Sequence, residues 1–248
     1  MKIIKKIKES LNNVAVTANP FRFIGIKYID RLNKKEYLKP PFNAFNERPV
    51  EYRFTFENIA EFYPKTILDV GTGVTALPHL MSNCGCKVTA MDNIKDYWTK
   101  GMLNRHYYII NDDITNPKKI IGSFDMVTCI SALEHIERYD DAVKSMFNLL
   151  KSGGCLLLTF PYNEKLGVEN VYTLDDSNIK QIPQFKTRAY SRNDVNRWVK
   201  ENDAVIIKQE YWQFFTGDYW TTGKKLDVPK KSDQFGKHQI SCIALKKI

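Results

Sequence analysis

Apolar residues recur along this chain in short unbroken runs, and amphipathic stretches lie between them. Runs fall at 66–70, 87–92, 107–111, 124–130 and 155–160. Apolar runs of this length bounded by turn residues read as strands buried on both faces, the pattern of a parallel sheet. Residues 75–83 and 140–150 read as intervening helices, the second with apolar residues at 143, 146, 147, 149 and 150. Lys151-Ser152-Gly153-Gly154 then reads as a helix stop and turn.

The rhythm changes on either side of this block. Residues 1–12 space isoleucines 3, 4 and 7 and Leu11 as an amphipathic helix does, and Pro40-Pro41 marks a loop. Residues 51–62 predict a helix stopped before Pro64. Residues 161–189 read as an insertion, and Ser191-Arg192-Asn193-Asp194 as the start of a helix running to about 200. Residues 205–215 are long enough for a sixth strand, 216–237 are loop-like, and 239–245 close the chain as a strand. Alternation of this kind predicts an α/β fold: a doubly wound, mostly parallel sheet with helices on both faces. Ending on two strands suggests a hairpin at the sheet edge, with the last strand antiparallel. The expected organisation is an N-terminal basic arm or cap at 1–50 and one domain at 51–248, with insertions at about 161–190 and 216–237.

The 248 residues can bury a full core, and their 43% apolar share is ordinary for a globular protein. No run approaches the ~20 apolar residues of a membrane span. The basic start lacks an apolar core behind it, so no secretory leader is expected. Five scattered cysteines, three of them in predicted strands, suit buried reduced thiols in a cytoplasmic protein. Cys84-Gly85-Cys86 has no further Cys/His pair to complete a ligand set, so no metal site is expected. The net charge of +9 is uneven: residues 1–50 hold eleven Lys/Arg against four acids, 51–162 hold eleven against thirteen, and 163–248 hold fifteen against eleven. A basic arm can meet an anionic acceptor, a membrane surface or nucleic acid, or simply be a solvated face.

The chemistry concentrates at Leu68-Asp69-Val70-Gly71-Thr72-Gly73. A strand ending in an acid and a Gly-x-Gly turn seats a nucleotide-like cofactor at a sheet edge. Gly71 to Ala76 also fits the dinucleotide pattern, with Asp92 near the expected ribose-binding offset. Asp69 favours a compact cationic cofactor over a pyrophosphate, which a carboxylate there would repel. With Ala90-Met91-Asp92, Asn111-Asp112-Asp113-Ile114, Phe124-Asp125-Met126-Val127 through Leu133-Glu134-His135-Ile136, and Leu149 to Gly154 followed by Leu156-Leu157-Leu158, the chain resembles the class I S-adenosylmethionine-dependent methyltransferases over residues 65–162. One departure is Thr75, where many members carry a third glycine.

The resemblance implies S-adenosyl-L-methionine as cofactor. It places Asp69 near the methionine ammonium and Gly71 and Gly73 in close backbone approach, and it puts Asp92 on the ribose hydroxyls and Asp113 on the adenine amine beside Ile114. Asp112 is an equal occupant of that last place. Thr72, Asn93 and Ser131 complete the implied cofactor-binding set. His135 is the candidate catalytic base, and a structural histidine is the other reading of it. Glu134 could instead help hold a divalent ion, which needs more carboxylates than can be placed beside it. The acceptor site is expected from the flanking parts; the aromatic cluster Tyr211, Trp212, Phe214, Phe215, Tyr219 and Trp220 either stacks on the acceptor or caps the core beneath a long loop, and Arg48 or Arg53 is expected to meet an anion. The implied activity is methyl transfer to a small molecule or a saccharide, at oxygen rather than nitrogen. The alternatives are a nucleic-acid methyltransferase, an NAD-dependent oxidoreductase and a non-catalytic cofactor-binding module. Ser131-Ala132-Leu133-Glu134 lacks the Pro-Pro-Tyr type of motif that base-amino methylation calls for, and Asp69 disfavours NAD.

Overall fold

The computed structural model describes residues 20–39, 45–179 and 183–248; the helix expected at 1–12 and the loop at Pro40-Pro41 lie outside these. The chain divides into two compact units, residues 1–46 and 47–248. In the first, helix α1 (Pro20–Leu38) carries Phe23, Ile24, Ile26, Tyr28 and Ile29, each between 44% and 62% exposed. Lys27 lies over the Phe23 ring, 4.5 Å from its centre. Among the described residues no helix is long and apolar enough to cross a membrane.

The second unit is built on one eight-stranded sheet. In chain order it runs through α2 (Arg48–Phe62), β1 (Thr66–Val70), α3 (Leu77–Asn83), β2 (Lys87–Asp92), α4 (Ile94–Tyr97), β3 (Ile109–Asn111) and β4 (Phe124–Ile130). A 3₁₀ turn (Leu133–His135), α5 (Tyr139–Asn148) and β5 (Leu150–Pro161) follow. A second 3₁₀ turn (Val171–Thr173), α6 (Arg192–Glu201), β6 (Ala204–Phe215), β7 (Lys225–Ser232) and β8 (Ile240–Lys247) complete it. The strand order is β3-β2-β1-β4-β5-β8-β6-β7. The first five strands are parallel, and β8, β6 and β7 pair antiparallel. This is the mostly parallel, doubly wound sheet that the hydrophobic runs predict.

Two-residue periodicity sorts the core into two layers. Leu68, Val127, Leu156 and Leu158 face α5 and α6 through Val143, Met146, Phe147, Val195 and Trp198. Ile67, Val88, Met126 and Leu157 face α2 and α3 through Val50, Phe54, Leu77 and Met81. Helix starts follow the local chemistry: Pro49 and Pro78 sit in first turns, where no amide partner is lost, and Ser191 with Asp194 forms a capping box. Helix α2 stops at Tyr63, which takes a left-handed φ of 47° just before Pro64.

Three expectations need correction. Residues 216–237 are not all loop, because Lys225–Ser232 is strand β7; its lysines and Pro229 read as breakers, yet the backbone pairs with β6 from Phe215↔Lys225 to Tyr211↔Ser232. The last strand is antiparallel as expected but is not at the edge, since β8 lies between β5 and β6. The residues after α5 do not leave the sheet. They join β5 through an irregular register against β4, with Gly153 at φ 75°.

Asp125, near the start of β4, ties three elements together. Its Oδ2 accepts from the amides of Lys65 and Thr66 at 3.0 and 2.8 Å, and its Oδ1 accepts from Lys151 Nζ at 2.7 Å. Burial pushes the carboxyl up, but the bonds from Lys151 and Thr66 outweigh it and hold it at about 2. A depressed carboxyl stabilises the fold above its unfolded value, and that contribution is lost as pH falls through the folded value. Asp125→Ala is expected to lower stability by about 1–3 kcal/mol in urea unfolding at pH 7. The difference from wild type should close between about pH 4 and pH 2.

Candidate active site

The carboxyl ends of β1, β2, β3 and β4 converge, and most of the expected site residues meet there. Asp69 is 2% exposed; its Oδ1 accepts from Thr128 Oγ1 and its Oδ2 from Thr72 Oγ1, both at 2.7 Å. Burial drives its pKa up to about 6 against those two bonds. Gly71 turns the chain at φ 71°, donating its amide to the Met91 carbonyl at 3.0 Å. A Cβ on Gly71 would lie 2.4 Å from the Ala132 Cβ, so only glycine fits this crossing of the β1 and β4 exits. Gly73 (φ 56°) donates its amide to Asp92 Oδ2 at 2.7 Å. Asp92, at the end of β2, is raised by burial, and its Oδ1 accepts from Trp98 Nε1 at 2.9 Å.

Other expected residues have structural partners. Asn93 caps α4, accepting from the Asp96 amide at 3.3 Å. Asp113 accepts from the Thr115 amide and hydroxyl at 2.8 and 2.9 Å, and Ile114 is 4% exposed within the core. Asp112 is spent on the backbone, taking the amides of Lys118, Lys119 and Ile120. The two acids differ in exposure: Asp112 is buried and Asp113 half-buried, and it is the Asp112 amide that meets the Asp92 carbonyl at 3.1 Å.

Past β4 the chain takes a left-handed step at Ser131 (φ 46°) and enters the turn that carries Glu134 and His135. Ser131 donates its hydroxyl to Glu51 Oε1, and its amide bonds the Thr159 carbonyl at 3.0 Å. Glu51, fully buried in α2, also accepts from Thr159 Oγ1 and from Arg48 Nη1, both at 2.8 Å. Glu134 is 4% exposed and burial pushes it up to about 8; its Oε2 has no hydrogen-bond partner among the described residues. His135 Nδ1 lies 2.8 Å from the Lys186 carbonyl, which can only accept, so Nδ1 carries the proton and Nε2 the lone pair. Burial lowers the His135 pKa below the ordinary histidine value. Its Nε2 is 4.0 Å from Glu134 Oε1.

An aromatic wall surrounds this imidazole. Phe185 lies 4.9 Å from the His135 ring, Tyr97 lies 6.1 Å from it, and Tyr172 packs 6.3 Å from Phe185. Sequence reasoning missed these rings and Trp98; the available signal was an aromatic pair, Tyr97-Trp98, among polar residues just past a strand-end acid. The cluster offered instead is largely core. Phe214 and Phe215 are 1% and 6% exposed with Trp220 packed on both, and Tyr211 is 9% exposed. Arg53 points elsewhere, pairing with Glu57 and Glu210, and only Arg48 faces the site acids. Among the described residues no group of three His, Cys, Asp or Glu could hold a metal ion.

The Gly71 crossing gives a direct check. Gly71→Ala should destabilise the protein by about 2–4 kcal/mol in denaturant unfolding, combining left-handed strain with overpacking. Adding Ala132→Gly should recover the steric part, leaving about 1–2 kcal/mol for the backbone alone.

Comparison with known proteins gives the family and the fold. Residues 45–216 match the family described as "Methyltransferase domain". The ubiquinone biosynthesis O-methyltransferase of Schizosaccharomyces pombe is 26% identical over 157 residues, 58% of this chain and 57% of the relative. The enzyme of that name from Psychrobacter arcticus is 31% identical over 140 residues, 50% of this chain and 54% of the relative. The chain thus spans little more than half the length of these two relatives. Among solved structures, the N-methyltransferase NodS from Bradyrhizobium japonicum, bound to S-adenosyl-L-homocysteine, aligns with a TM-score of 0.52 at 13% identity, over 83% of this chain and 89% of that one. The 1,6-didemethyltoxoflavin-N1-methyltransferase of Burkholderia thailandensis gives 0.52 at 12% identity, over 93% and 91%. At such identities these two speak for the fold alone. From the matched family and the aligned solved structures, the chain belongs to the methyltransferase domain family and has the class I fold of S-adenosyl-L-methionine-dependent methyltransferases.

Proposed function

We propose that this chain transfers the methyl group of S-adenosyl-L-methionine to a hydroxyl group of a small molecule. The observation that carries the reading is His135: its Nδ1 proton is committed to a backbone carbonyl, and its Nε2 lone pair sits within a half-exposed aromatic wall. The residues suit the cofactor, because Gly71 stands where a Cβ would clash, Gly73 holds a left-handed φ that glycine takes without strain, and two buried strand-end acids border them. When bound, the cofactor supplies a methyl group on a cationic sulfur, open to in-line displacement.

The chain's own work is then binding, orientation and proton removal. Asp69 offers negative charge near the methionine end, and Asp92 is the acid for a ribose diol. Gly71, Thr72 and Gly73 form the turn between them, and Thr72 also fixes Asp69. Asp113 and Ile114 are assigned to the adenine side, Ser131 borders the methionine side, and Arg48 is assigned to the cofactor carboxylate. Asn93 acts through α4, which it caps. His135 Nε2 takes the proton of the acceptor hydroxyl, a role typically worth ~10²–10⁴ in rate. The named O-methyltransferase relatives support oxygen as the methylated atom. The rings beside His135 favour a planar aryl acceptor over a saccharide. A reducing, cytoplasmic compartment belongs to the same reading and is supported by five free cysteines.

The functional test is calorimetric titration with S-adenosylhomocysteine and with NAD in parallel. Micromolar binding of the first and none of the second is expected, and the reverse would replace the reading with an oxidoreductase. With an active acceptor found among simple phenols, His135→Gln should lower kcat about 10²–10⁴-fold with the S-adenosylhomocysteine affinity unchanged. Because the neutral imidazole is the working form and burial lowers its pKa, wild-type kcat should persist below pH 6.5 and fall only as pH drops through the lowered value.

A second proposal concerns α1. Its exposed apolar residues are spread around the helix, but five Lys/Arg outnumber two acids, which supports peripheral electrostatic contact with an anionic lipid surface. Co-sedimentation with phosphatidylglycerol vesicles is expected, and Ile24→Glu with Tyr28→Glu should abolish it. Equal sedimentation of both proteins would remove membrane contact from the reading.

A further inference from the structure

Asp92 has two carboxylate oxygens, and both are already engaged. Oδ2 accepts from the Gly73 amide at 2.7 Å, a bond between fixed backbone and strand end. Oδ1 accepts from the Trp98 indole at 2.9 Å. The Trp98 ring also lies over the glycine turn, its Cζ2 3.4 Å from where a Cβ on Gly73 would stand. A ribose diol addressing Asp92 therefore meets an indole N–H on the oxygen it needs and an indole edge on the surface it must cross.

Trp98 sits in a strap pinned at both ends by asparagines. Asn111 Oδ1 accepts the amides of Ile94 and Lys95 at 2.8 and 3.2 Å. Asn104 Nδ2 donates to the carbonyls of Gly73 and Thr75, both at 2.9 Å. Between these anchors the strap makes one contact with each half of the site. Trp98 holds the ribose acid, and its neighbour Tyr97, 5.5 Å away ring to ring, covers the His135–Phe185 pair at 6.1 and 6.2 Å.

We infer that Trp98 and the cofactor ribose compete for Asp92, and that displacing Trp98 draws Tyr97 off His135, so that cofactor binding opens the acceptor side. Trp98 is then a positioning residue that lowers cofactor affinity in exchange for ordered binding. This rests on the proposed cofactor role of Asp92 and extends it to Trp98 and to Tyr97, one ring of the proposed acceptor wall, which then lines the acceptor site from its displaced position.

The test uses the full chain, S-adenosylhomocysteine as probe, and readouts other than turnover. Trp98 is partly exposed on a surface strap, so Trp98→Phe should stay folded, with Tm lowered by no more than the loss of its one hydrogen bond to Asp92 and recovered on saturation with S-adenosylhomocysteine. The variant removes the competing N–H and is expected to bind S-adenosylhomocysteine about tenfold more tightly by calorimetry, the low end of what a hydrogen bond to a charged group is worth. Saturation should change the tryptophan emission of the wild type and leave that of the variant flat, although Trp198, Trp212 and Trp220 remain in both. Carbethoxylation of His135, followed by peptide mass spectrometry, should rise several-fold with S-adenosylhomocysteine in the wild type and be independent of it in the variant. Equal or weaker binding by Trp98→Phe, or an unchanged emission signal in the wild type, overturns the competition. A His135 labelling rate indifferent to ligand overturns the link to Tyr97. If neither protein binds the probe, the functional reading itself fails and this inference falls with it. Binding by wild type and variant alike at one affinity spares the functional reading and removes only the strap.

Discussion

Glu51 reaches from α2 into the sheet with its side chain wholly shielded from water. A carboxylate in that position costs several kcal/mol unless its lone pairs are answered. Here the hydroxyls of Ser131 and Thr159 answer one oxygen and Arg48 the other. The three donors come from the exit of β4, from β5 and from α2 itself, so one side chain locks a helix to two neighbouring strands. It also sets the direction of everything after β4. Ser131 stands in the left-handed region, a step worth about 1–2 kcal/mol against a residue with a Cβ. Its hydroxyl bond to Glu51 and its amide bond to Thr159 hold it there, and the turn bearing Glu134 and His135 leaves in the one direction those bonds permit.

The electrostatics around this lock run against the protein's overall charge. The chain carries +9, yet the start of α2 and the strand ends gather Glu47, Glu51, Asp69 and Glu134 around Arg48, with Asp92 near Asp69. Burial raises Asp69, Asp92 and Glu134 together, and Glu134 carries its proton at neutral pH. Fewer full charges then have to coexist at the strand ends. What remains there is a mildly acidic cluster, in a unit whose lysines are mostly exposed.

The parts of this architecture that repeat were legible in the residues. Five apolar runs and their spacing announce the parallel strands, and Asp69, Gly71, Gly73 and Asp92 mark the strand exits because their types are constrained by turn geometry and by charge. Long-range contacts were not legible. Trp98 on Asp92, Phe185 on His135 and Glu51 under Ser131 join residues 6, 50 and 80 positions apart, and no local period records such pairs. The aromatic cluster at 211–220 left two readings open because density of rings signals burial as readily as binding; with β6 paired to β8, Tyr211, Phe214 and Phe215 are buried. Asp112 and Asp113 could not be told apart until backbone amides claimed the first.

Strand β7, hidden in sequence by its lysines, has a meaning for the protein in a crowded solution. One border of the sheet is this strand, with Lys225, Lys230 and Lys231 along it and Pro229 unable to donate an amide; the other is β3, three residues long. Each free border is a template on which a stray extended chain can continue the ladder. A newcomer at β7 would have to desolvate a row of ammonium groups and skip a missing donor, and at β3 it would find room for barely one turn of pairing. The sheet that presents the strand ends for chemistry is thereby finished at both sides, and growth into fibrils or edge-to-edge aggregates is opposed by the same residues that made the strand hard to see.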